Sequence, residues 1–310
     1  ITGTPIENSL IDLWSQLSFA NPGLLGDLKY FREHFYQPIE KSGSKSSEKR
    51  FREIINPFIL RRTKNEVAHD LPDLTEKVQY CPMSGEQAIL YEKRKSEIRN
   101  YILDNRKLPK EKKYMMVLSG LMRLRLIANH PIMGNPEYPG QSGKFEVITD
   151  YIGKTVANEH KLLIFSQFVK HLNIYASWLE SSNIPYLTLT GKTPAAHRER
   201  IINMFQNDKN HPVFLISLKA GGVGLNLTHA DSVFLLEPWW NPAVEKQAIN
   251  RTHRIGQVKN VFSYKFITEN SIEEKILQLQ QKNRTCSIIL LIINLLRRLV
   301  TKILKCCWSN

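Results

Sequence analysis

Residues 212–257 read PVFLISLKAGGVGLNLTHADSVFLLEPWWNPAVEKQAINRTHRIGQ, and this segment is the most informative about the fold of the chain. Two continuous apolar runs, 213–218 and 232–236, are typical of strands that are buried on both faces. The glycine-rich residues 219–224 stand between them, and a helix-like segment follows. Strands that alternate with helices predict a parallel α/β sheet, whose ligands bind beyond the carboxyl ends of the strands.

The glycine loop KAGGVG, residues 219–224, has two interpretations. Glycines such as Gly222 and Gly224 let the backbone approach a ligand closely, because no Cβ stands in the way, and they tolerate positive φ. Taken alone, however, such a loop is more often an ordinary flexible connection. The residues that follow the loop are therefore needed to choose between these two interpretations.

A helix is predicted from 243 to 253, because Asn241-Pro242 supplies an N-cap and a proline at the first helical position. Arg251 and Arg254 are three residues apart and are expected on one face of this helix, with Gln247 one turn earlier. Two guanidinium forks on one surface suit phosphate oxygens. An isolated pair is usually a solvated basic face, but the string His-Arg-Ile-Gly-Gln around Arg254 argues against that alternative.

This stretch resembles motifs V and VI of the Swi/Snf-type DNA translocases, a branch of the superfamily 2 helicases. Motif VI of that family typically reads QAxDRxHRIGQ, and residues 247–257 read QAINRTHRIGQ, with Asn250 in place of the usual acid. The resemblance implies that Arg251 and Arg254 are catalytic arginine fingers, which neutralise transition-state charge on the γ-phosphate and are worth about 10³–10⁵ in rate. The nucleotide-binding residues that it implies are Gly222, Gly224 and Gln247.

The remaining motifs follow in the order of the family and extend the resemblance from residue 1 to about residue 283. Residues 1–8 resemble motif III, in which Thr2, Gly3 and Thr4 form the coupling element. The other matching segments are PFILRRTKNE at 57–66, DLP at 70–72, LR at 124–125, NHP at 129–131, LLIFSQF at 162–168 and the pattern from Gly191 to Phe205. The implied fold is α/β: a RecA-like helicase C-terminal lobe with a parallel sheet, preceded by a mostly helical linker and protrusion region.

Double-stranded DNA is the polymer partner that the resemblance implies, bound across two motor lobes mainly through its phosphates. Gln167, Thr190 and Lys219 lie near the ends of predicted strands and are the DNA-binding candidates, together with Trp240. For Trp240, packing in the core is an equally good interpretation. Trp239 is expected in the core.

ATP and Mg²⁺ are the implied ligands, but the groups that would bind most of both are not in the sequence. A GxxxxGK[ST] phosphate loop is absent, since Tyr186 stands where Gly191-Lys192-Thr193 would need its first glycine. An Asp-Glu pair for magnesium is also absent. We therefore expect a fragment that begins at motif III, hydrolyses no ATP alone, and works with a first motor lobe of the same protein.

The charge balance favours a polyanionic partner, because 43 Lys and Arg against 29 Asp and Glu give a net charge of +14 and a pI of about 9.6. Charge alone would equally fit a basic protein without such a partner, and the motifs decide for nucleic acid. The four cysteines show no CxxC spacing, so we predict no zinc or other metal site, no disulfide framework and a reducing, intracellular setting. No run of 18 apolar residues suggests a membrane span.

Four segments are predicted along the chain. Residues 1–70 close the first motor lobe at motif III and form the inter-lobe linker, and residues 71–142 form a helical protrusion region. A boundary is expected in GNPEYPGQSG, residues 134–143, which is dense in glycine and proline. Residues 143–283 form the RecA-like lobe with motifs IV–VI, and residues 284–310 form an atypical basic and apolar tail.

Local patterns predict the individual elements. Further helices are expected at 9–40, 84–103, 113–129, 144–158, 168–181, 194–207 and after the SIEE capping box at 271–274, and further strands at 161–166, 185–190 and 260–268. The serine-rich, polar residues 41–50 are expected to form a loop. The tail has three interpretations: a terminal helix packed on the lobe, a basic amphipathic helix for a membrane surface or a partner, or a reading-frame error, which its abrupt departure from the pattern slightly favours.

Three functions remain in competition at this stage. The first is an ATP-driven translocase on duplex DNA, expected in a bacterial cytoplasm in association with the nucleoid, or in a nucleus if the source is eukaryotic. The second is a strand-separating DNA or RNA helicase of the same superfamily. The third is a non-catalytic DNA-binding scaffold, which predicts salt-sensitive DNA binding without a response to ATP.

Overall fold

The computed structural model describes residues 9–60, 68, 70–105, 109–221 and 224–282. The chain forms two compact units, one within residues 1–69 and the other within residues 70–282. Among the described residues, no helix is long and apolar enough to cross a membrane. The predicted tail at 284–310 lies outside the described residues.

The first unit is a small helical cluster around aromatic side chains. Its helices are α1 (Leu10–Ala20), α2 (Leu28–Phe31), which continues as a π-helix over Arg32–Lys41, and α3 (Lys45–Ile55). Phe31, Phe35 and Phe51 pack against one another with ring centroids 5.3–5.8 Å apart. The continuous helix predicted over 9–40 is wrong, since the chain leaves the helix between Ala20 and Leu28.

The loop predicted at 41–50 is also wrong, because α3 begins at Lys45. The hydroxyl of Ser44 accepts the backbone N–H of Ser47 and caps the helix. Phe51 and Ile55 then bury one face of the helix against the aromatic cluster. The polar residues of this segment lie on the exposed face of a helix, and tertiary packing of the opposite face stabilises that helix.

The second unit is built on six parallel strands: β1 (Leu74–Cys81), β2 (Leu162–Ser166), β3 (Tyr186–Leu189), β4 (Val213–Ser217), β5 (Ser232–Leu235) and β6 (Val261–Thr268). Their order in the sheet is β1-β6-β5-β2-β4-β3, and every pairing is parallel. The predicted α/β class is confirmed. All residues of β2, β4 and β5 are buried, as their continuous apolar runs indicated.

The helices of the second unit are α4 (Gly85–Asp104), α5 (Lys110–Asn129), α6 (Gly143–Ala157), α7 (Val169–Ser181), α8 (Ala195–Asn207), α9 (Leu218–Gly221), α10 (Pro242–Ile249) and α11 (Ile272–Lys282). Their apolar residues form two separate clusters with those of the sheet. Phe205 of α8 packs in the first cluster, and Ile148, Leu172 and Phe234 pack in the second. The sheet thus lies in the interior of the unit.

Strand β1 was not predicted from the sequence. It pairs along its whole length with β6, from Leu74 opposite Val261 to Cys81 opposite Thr268. The strand is at the edge of the sheet, and Val78 and Tyr80 remain exposed, so the continuous apolar signal of a central strand is missing. The compact unit therefore begins at Asp70 and continues across the glycine- and proline-rich residues 134–143.

A buried ion pair connects α6 to α11. The ammonium of Lys144 lies 2.5 Å from Oε2 of Glu273, and both side chains are fully buried. The same ammonium donates to Oδ1 of Asn129 at 3.1 Å and to the carbonyl of Leu236 at 2.9 Å, while Glu273 accepts the backbone N–H of Thr268 at 2.9 Å. This ion pair thus joins the ends of α5, β5 and β6 at one point.

His130 provides a pH-dependent element of stability. Its ring is buried, and Nδ1 accepts the backbone N–H of Ile132 at 3.3 Å. Burial, and secondarily the charge of His171, lowers the pKa of His130 to about 4. The unfolded chain therefore binds one proton more than the folded chain between about pH 6.5 and 4.

The free energy of unfolding should accordingly fall by up to about 3 kcal/mol between pH 7 and pH 4 through His130 alone. Urea unfolding at both pH values, compared with His130→Asn, measures this contribution, since asparagine can accept the same N–H without titrating. His197→Asn is the matched control, because His197 is exposed on α8. Equal pH dependence in the unsubstituted protein and in His130→Asn would contradict the prediction.

Candidate functional site

The carboxyl ends of four neighbouring strands carry the candidates for DNA binding. In the sheet order β5-β2-β4-β3, Trp240 follows β5, Gln167 follows β2, Lys219 follows β4 and Thr190 follows β3. Because all these strands are parallel, their carboxyl ends lie along the same edge of the sheet, where α/β proteins bind ligands. The topology thus brings residues that span more than seventy positions of sequence to one edge.

These four residues differ in exposure. Lys219 is exposed on the short helix α9, and Gln167, Thr190 and Trp240 are half-buried. Thr190 lies in a turn, where its N–H donates to the hydroxyl of Thr193 at 3.0 Å. Trp239 packs against the apolar cluster as expected.

The two arginines of residues 247–257 bind the two sides of the glycine loop. Nε of Arg251 donates to the carbonyl of Gly221 at 3.1 Å, and Nη1 of Arg254 donates to the carbonyl of Leu225 at 3.5 Å. The backbone carbonyl of Arg251 also accepts the N–H of Leu227 at 3.0 Å. Hydrogen bonds therefore hold the loop that follows β4 together with the segment that follows α10.

The prediction that both arginines lie on one face of a helix is wrong. Helix α10 ends at Ile249, and Asn241 caps its beginning through the N–H of Ala243, as predicted. The N–H groups of Arg251 and Thr252 bond three residues back, to the carbonyls of Ala248 and Ile249, so the chain tightens and turns. The positions of the arginines are therefore set by the contacts of Arg251 with the glycine loop and not by a continuing helix.

The electrostatics of the pair suit an anion. Arg251 is half-buried and Arg254 is exposed. The pKa of Arg251 is lowered, first by burial and then by the positive charge of Arg254. Two guanidinium groups are thus close enough to repel each other, and a bound phosphate would relieve this repulsion.

The other residues of the string HRIGQ support the loop. Nε2 of His253 lies 2.8 Å from the carbonyl oxygen of Pro72, so this nitrogen carries the proton and donates. The amide of Gln257 donates to the carbonyls of Ala230 and Thr252 at 2.8 and 3.2 Å. Gly256 has a φ of +99°, which a residue with a side chain rarely adopts. His253, Gly256 and Gln257 thus have structural roles in the motif beside its arginines.

The glycine loop itself depends on close packing at one end. A Cβ on Gly221 would lie 2.9 Å from Cε1 of Phe165, so the backbone approaches the sheet more closely than a side chain permits. Gly224 is exposed, with a φ of +33°. Gly222 lies outside the described residues, as do Thr2, Gly3 and Thr4. Gln247 is half-buried on α10, one turn before Arg251.

A buried polar cluster behind the strand ends was not predicted. Glu237 is 2% exposed and accepts the backbone N–H of Gln167 at 2.6 Å and the hydroxyl of Ser166 at 2.9 Å. Its Oε2 lies 3.2 Å from Nδ1 of His171, which is fully buried. Burial alone would raise the pKa of Glu237, but His171, the N–H of Gln167 and the charge of Arg125 together lower it. Glu237 therefore remains ionised at neutral pH.

Arg125 of α5 completes this cluster. It is 1% exposed, and its Nη2 donates to the carbonyl of Pro238 at 2.8 Å. Burial lowers the pKa of Arg125, while Glu237 acts in the opposite direction. In the sequence, Arg125 belongs to the Leu-Arg pair ahead of the lobe. That pair indicated membership of the family but did not predict which residues Arg125 contacts.

The described residues contain no group of three or more His, Cys, Asp or Glu side chains that could hold a metal ion. A parallel sheet with an arginine-bearing turn bound to a glycine loop at its carboxyl edge defines a RecA-like motor lobe of the helicase type. Comparison with known proteins identifies the group. The SNF2-related domain model matches residues 1–133, and the helicase conserved C-terminal domain model matches residues 143–256.

The chain belongs to the SWI2/SNF2 family of ATP-dependent helicases. It is 31% identical to the Sulfolobus solfataricus SWI2/SNF2 ATPase C-terminal domain, with a TM-score of 0.59, over 69% of this chain and 88% of that one. It is 36% identical to the Sulfolobus solfataricus SWI2/SNF2 ATPase core in complex with dsDNA, with a TM-score of 0.61, over 92% of this chain and 60% of that one.

A curated relative shows the same relationship. The chain is 38% identical over 284 residues to "Putative ATP-dependent helicase/translocase YwqA" of Bacillus subtilis. The match covers 89% of this chain and 30% of that protein, so the chain spans about a third of the length of this relative.

Proposed function

We propose that the chain supplies the second motor lobe of an ATP-dependent translocase on double-stranded DNA. One observation carries the proposal: Arg251 and Arg254 each donate to one side of the glycine loop, at Gly221 and Leu225. The turn and the loop thereby present arginines and exposed backbone together at the carboxyl edge of a parallel sheet. Such a surface binds phosphate, and in this family the phosphate is that of ATP.

In this proposal Arg254 and Arg251 stabilise the charge that develops on the γ-phosphate, and Gln247 and the backbone of Gly222 and Gly224 contact the nucleotide. The proposed ligands of Mg²⁺ belong to a first motor lobe. That lobe would also supply the phosphate-loop lysine and the carboxylate that activates water. Thr2, Gly3 and Thr4 of motif III would couple the two lobes.

DNA is proposed to bind along the adjacent strand ends, at Gln167, Thr190, Lys219 and Trp240. The net charge of +14 and the solved complex of a SWI2/SNF2 core with dsDNA support this partner. Lysine, threonine and glutamine offer donors that suit phosphate oxygens, so binding should depend little on base sequence. A strand-separating helicase is the second candidate, because relatives carry the name helicase.

ATP hydrolysis with and without nucleic acid tests the proposal. When a first motor lobe precedes Ile1, turnover should rise at least tenfold with duplex DNA and much less with single strands of the same length. The present chain alone should show no steady turnover, because the phosphate loop is missing from its sequence. Equal or greater stimulation by single strands would favour the helicase. Salt-sensitive DNA binding without hydrolysis, even with the first lobe, would favour the scaffold.

A further inference from the structure

Arg125 is a charged side chain whose burial the proposed function does not explain. It is contributed by α5, which lies outside the βα repeat of the lobe, and its guanidinium is 1% exposed. Arginine is rarely buried to this extent unless specific partners compensate the loss of water. Its partners are the two segments that carry Gln167 and Trp240.

The first contact orients the side chain of Gln167. With its amide oriented so that the oxygen meets the guanidinium, Gln167 accepts from Nη1 of Arg125 at 3.0 Å and also from Nη2. Since a guanidinium can only donate, the amide oxygen is the atom of Gln167 that has to face it. A phosphate can only accept, so the amide nitrogen is the atom of Gln167 that would donate to DNA.

The second contact positions Trp240. The guanidinium carbon of Arg125 lies 5.4 Å from the ring centroid of Trp240 and 5.5 Å from that of Phe168, within the range of cation–π attraction. Nη2 of the same group binds the carbonyl of Pro238, two residues before Trp240. One side chain therefore restrains both the 166–168 and the 237–240 segments, and Glu237 joins them from the other side through the N–H of Gln167.

We propose that Arg125 is a positioning residue of the duplex-DNA interface, which acts through Gln167 and Trp240 without touching DNA. The inference rests on the proposed function, because it requires that these two residues contact DNA. Helix α5 then has a defined role: it holds the DNA-binding side chains in place from behind the sheet edge.

Arg125→Lys tests the inference in the full chain. Lysine keeps the charge, but a single ammonium cannot bind Gln167 and Pro238 and also stack on Trp240. Duplex affinity, measured by fluorescence anisotropy between 50 and 200 mM salt, should fall roughly tenfold, while the slope of log affinity against log salt should stay unchanged. Arg123→Lys is the matched control, because Arg123 is exposed on the same helix and should bind DNA normally.

A double-mutant cycle with Gln167→Ala separates positioning from contact. Gln167→Ala should weaken binding about as much as Arg125→Lys, and the second substitution should add less than about threefold to the first. Should circular dichroism show that Arg125→Lys is unfolded, Arg125→Gln takes its place, since a neutral amide removes the fork without leaving an unpaired buried cation.

Several results would overturn the inference. A salt slope reduced by about one would mean that Arg125 contacts a phosphate directly. Additive losses would mean that Arg125 does not act through Gln167. Normal affinity of Arg125→Lys beside a weakened Gln167→Ala would remove Arg125 from the DNA interface. Normal affinity of Gln167→Ala would show that Gln167 is not a contact. Failure of the unsubstituted chain to bind duplex would reject the proposed function itself.

Discussion

Arg254→Ala is expected to lower duplex-stimulated ATP turnover about 10³- to 10⁵-fold in a protein that carries both motor lobes. The guanidinium would neutralise charge that is greater in the transition state than in bound ATP, so kcat should fall much more than nucleotide affinity. Arg254 suits this test better than Arg251, because it is exposed and its bond to Leu225 is at the limit of hydrogen-bond length, 3.5 Å. Arg251 also supports the glycine loop, and its loss would change the fold of the site.

Two further variants serve as comparisons for Arg254→Ala. Arg254→Lys keeps a positive charge without the planar fork and should recover only part of the turnover. Arg200→Ala removes an exposed arginine from α8 and should leave turnover unchanged. The measurement is steady-state phosphate release at saturating ATP and duplex. Turnover of Arg254→Ala within about tenfold of the unsubstituted protein would remove this residue from catalysis.

Lys144→Met is expected to cause the largest loss of stability, about 3–5 kcal/mol in the free energy of unfolding. The substitution leaves the carboxylate of Glu273 fully buried without its cation, and Oε1 of that carboxylate already has no hydrogen-bond partner among the described residues. It also removes the donor to Asn129 and to the carbonyl of Leu236. Unfolding in urea, followed by circular dichroism, measures the loss.

The double variant Lys144→Met with Glu273→Gln should recover most of this stability. Glutamine is neutral and can still accept the backbone N–H of Thr268, which the carboxylate now accepts at 2.9 Å. Lys154→Met is the matched control on the same helix, because its pair with Asp150 is exposed, with side-chain exposures of 70% and 53%. It should produce no measurable change. A double variant as unstable as Lys144→Met would show that the charge of Glu273 is not the cause.

The structure agrees best with the predicted elements where a short sequence pattern corresponds directly to local structure. The five strands predicted for the lobe agree with β2 to β6 within one residue at each end, because continuous apolar runs describe strands that are buried on both faces. The N-cap at Asn241 was equally local, since one side-chain oxygen meets a nearby N–H. The predictions failed at β1, at α3 and at the end of α10, where distant parts of the chain decide the structure.

For the candidate site, too, some features can be predicted from local sequence and others cannot. The residue types of motifs V and VI identify the family, and the topology confirms that the nominated DNA-binding residues follow neighbouring strands. That Arg251 and Arg254 bind opposite sides of the glycine loop was not evident from their spacing. Neither was the cluster of Glu237, His171 and Arg125, whose members are separated by 46 to 112 positions and give no periodic signal.

The class of the sheet, the order of its elements and the family can be inferred from the amino-acid sequence, because hydrophobic periodicity and motif chemistry are local properties. Which residues meet is evident only in the folded chain. Helix α10 stops at Ile249 and the chain beyond it binds the glycine loop, and Arg125 is buried where Pro238 and Gln167 accept its donors. Hydrogen bonds and buried charges of this kind require partners that are distant in sequence, and only the folded chain brings such partners together.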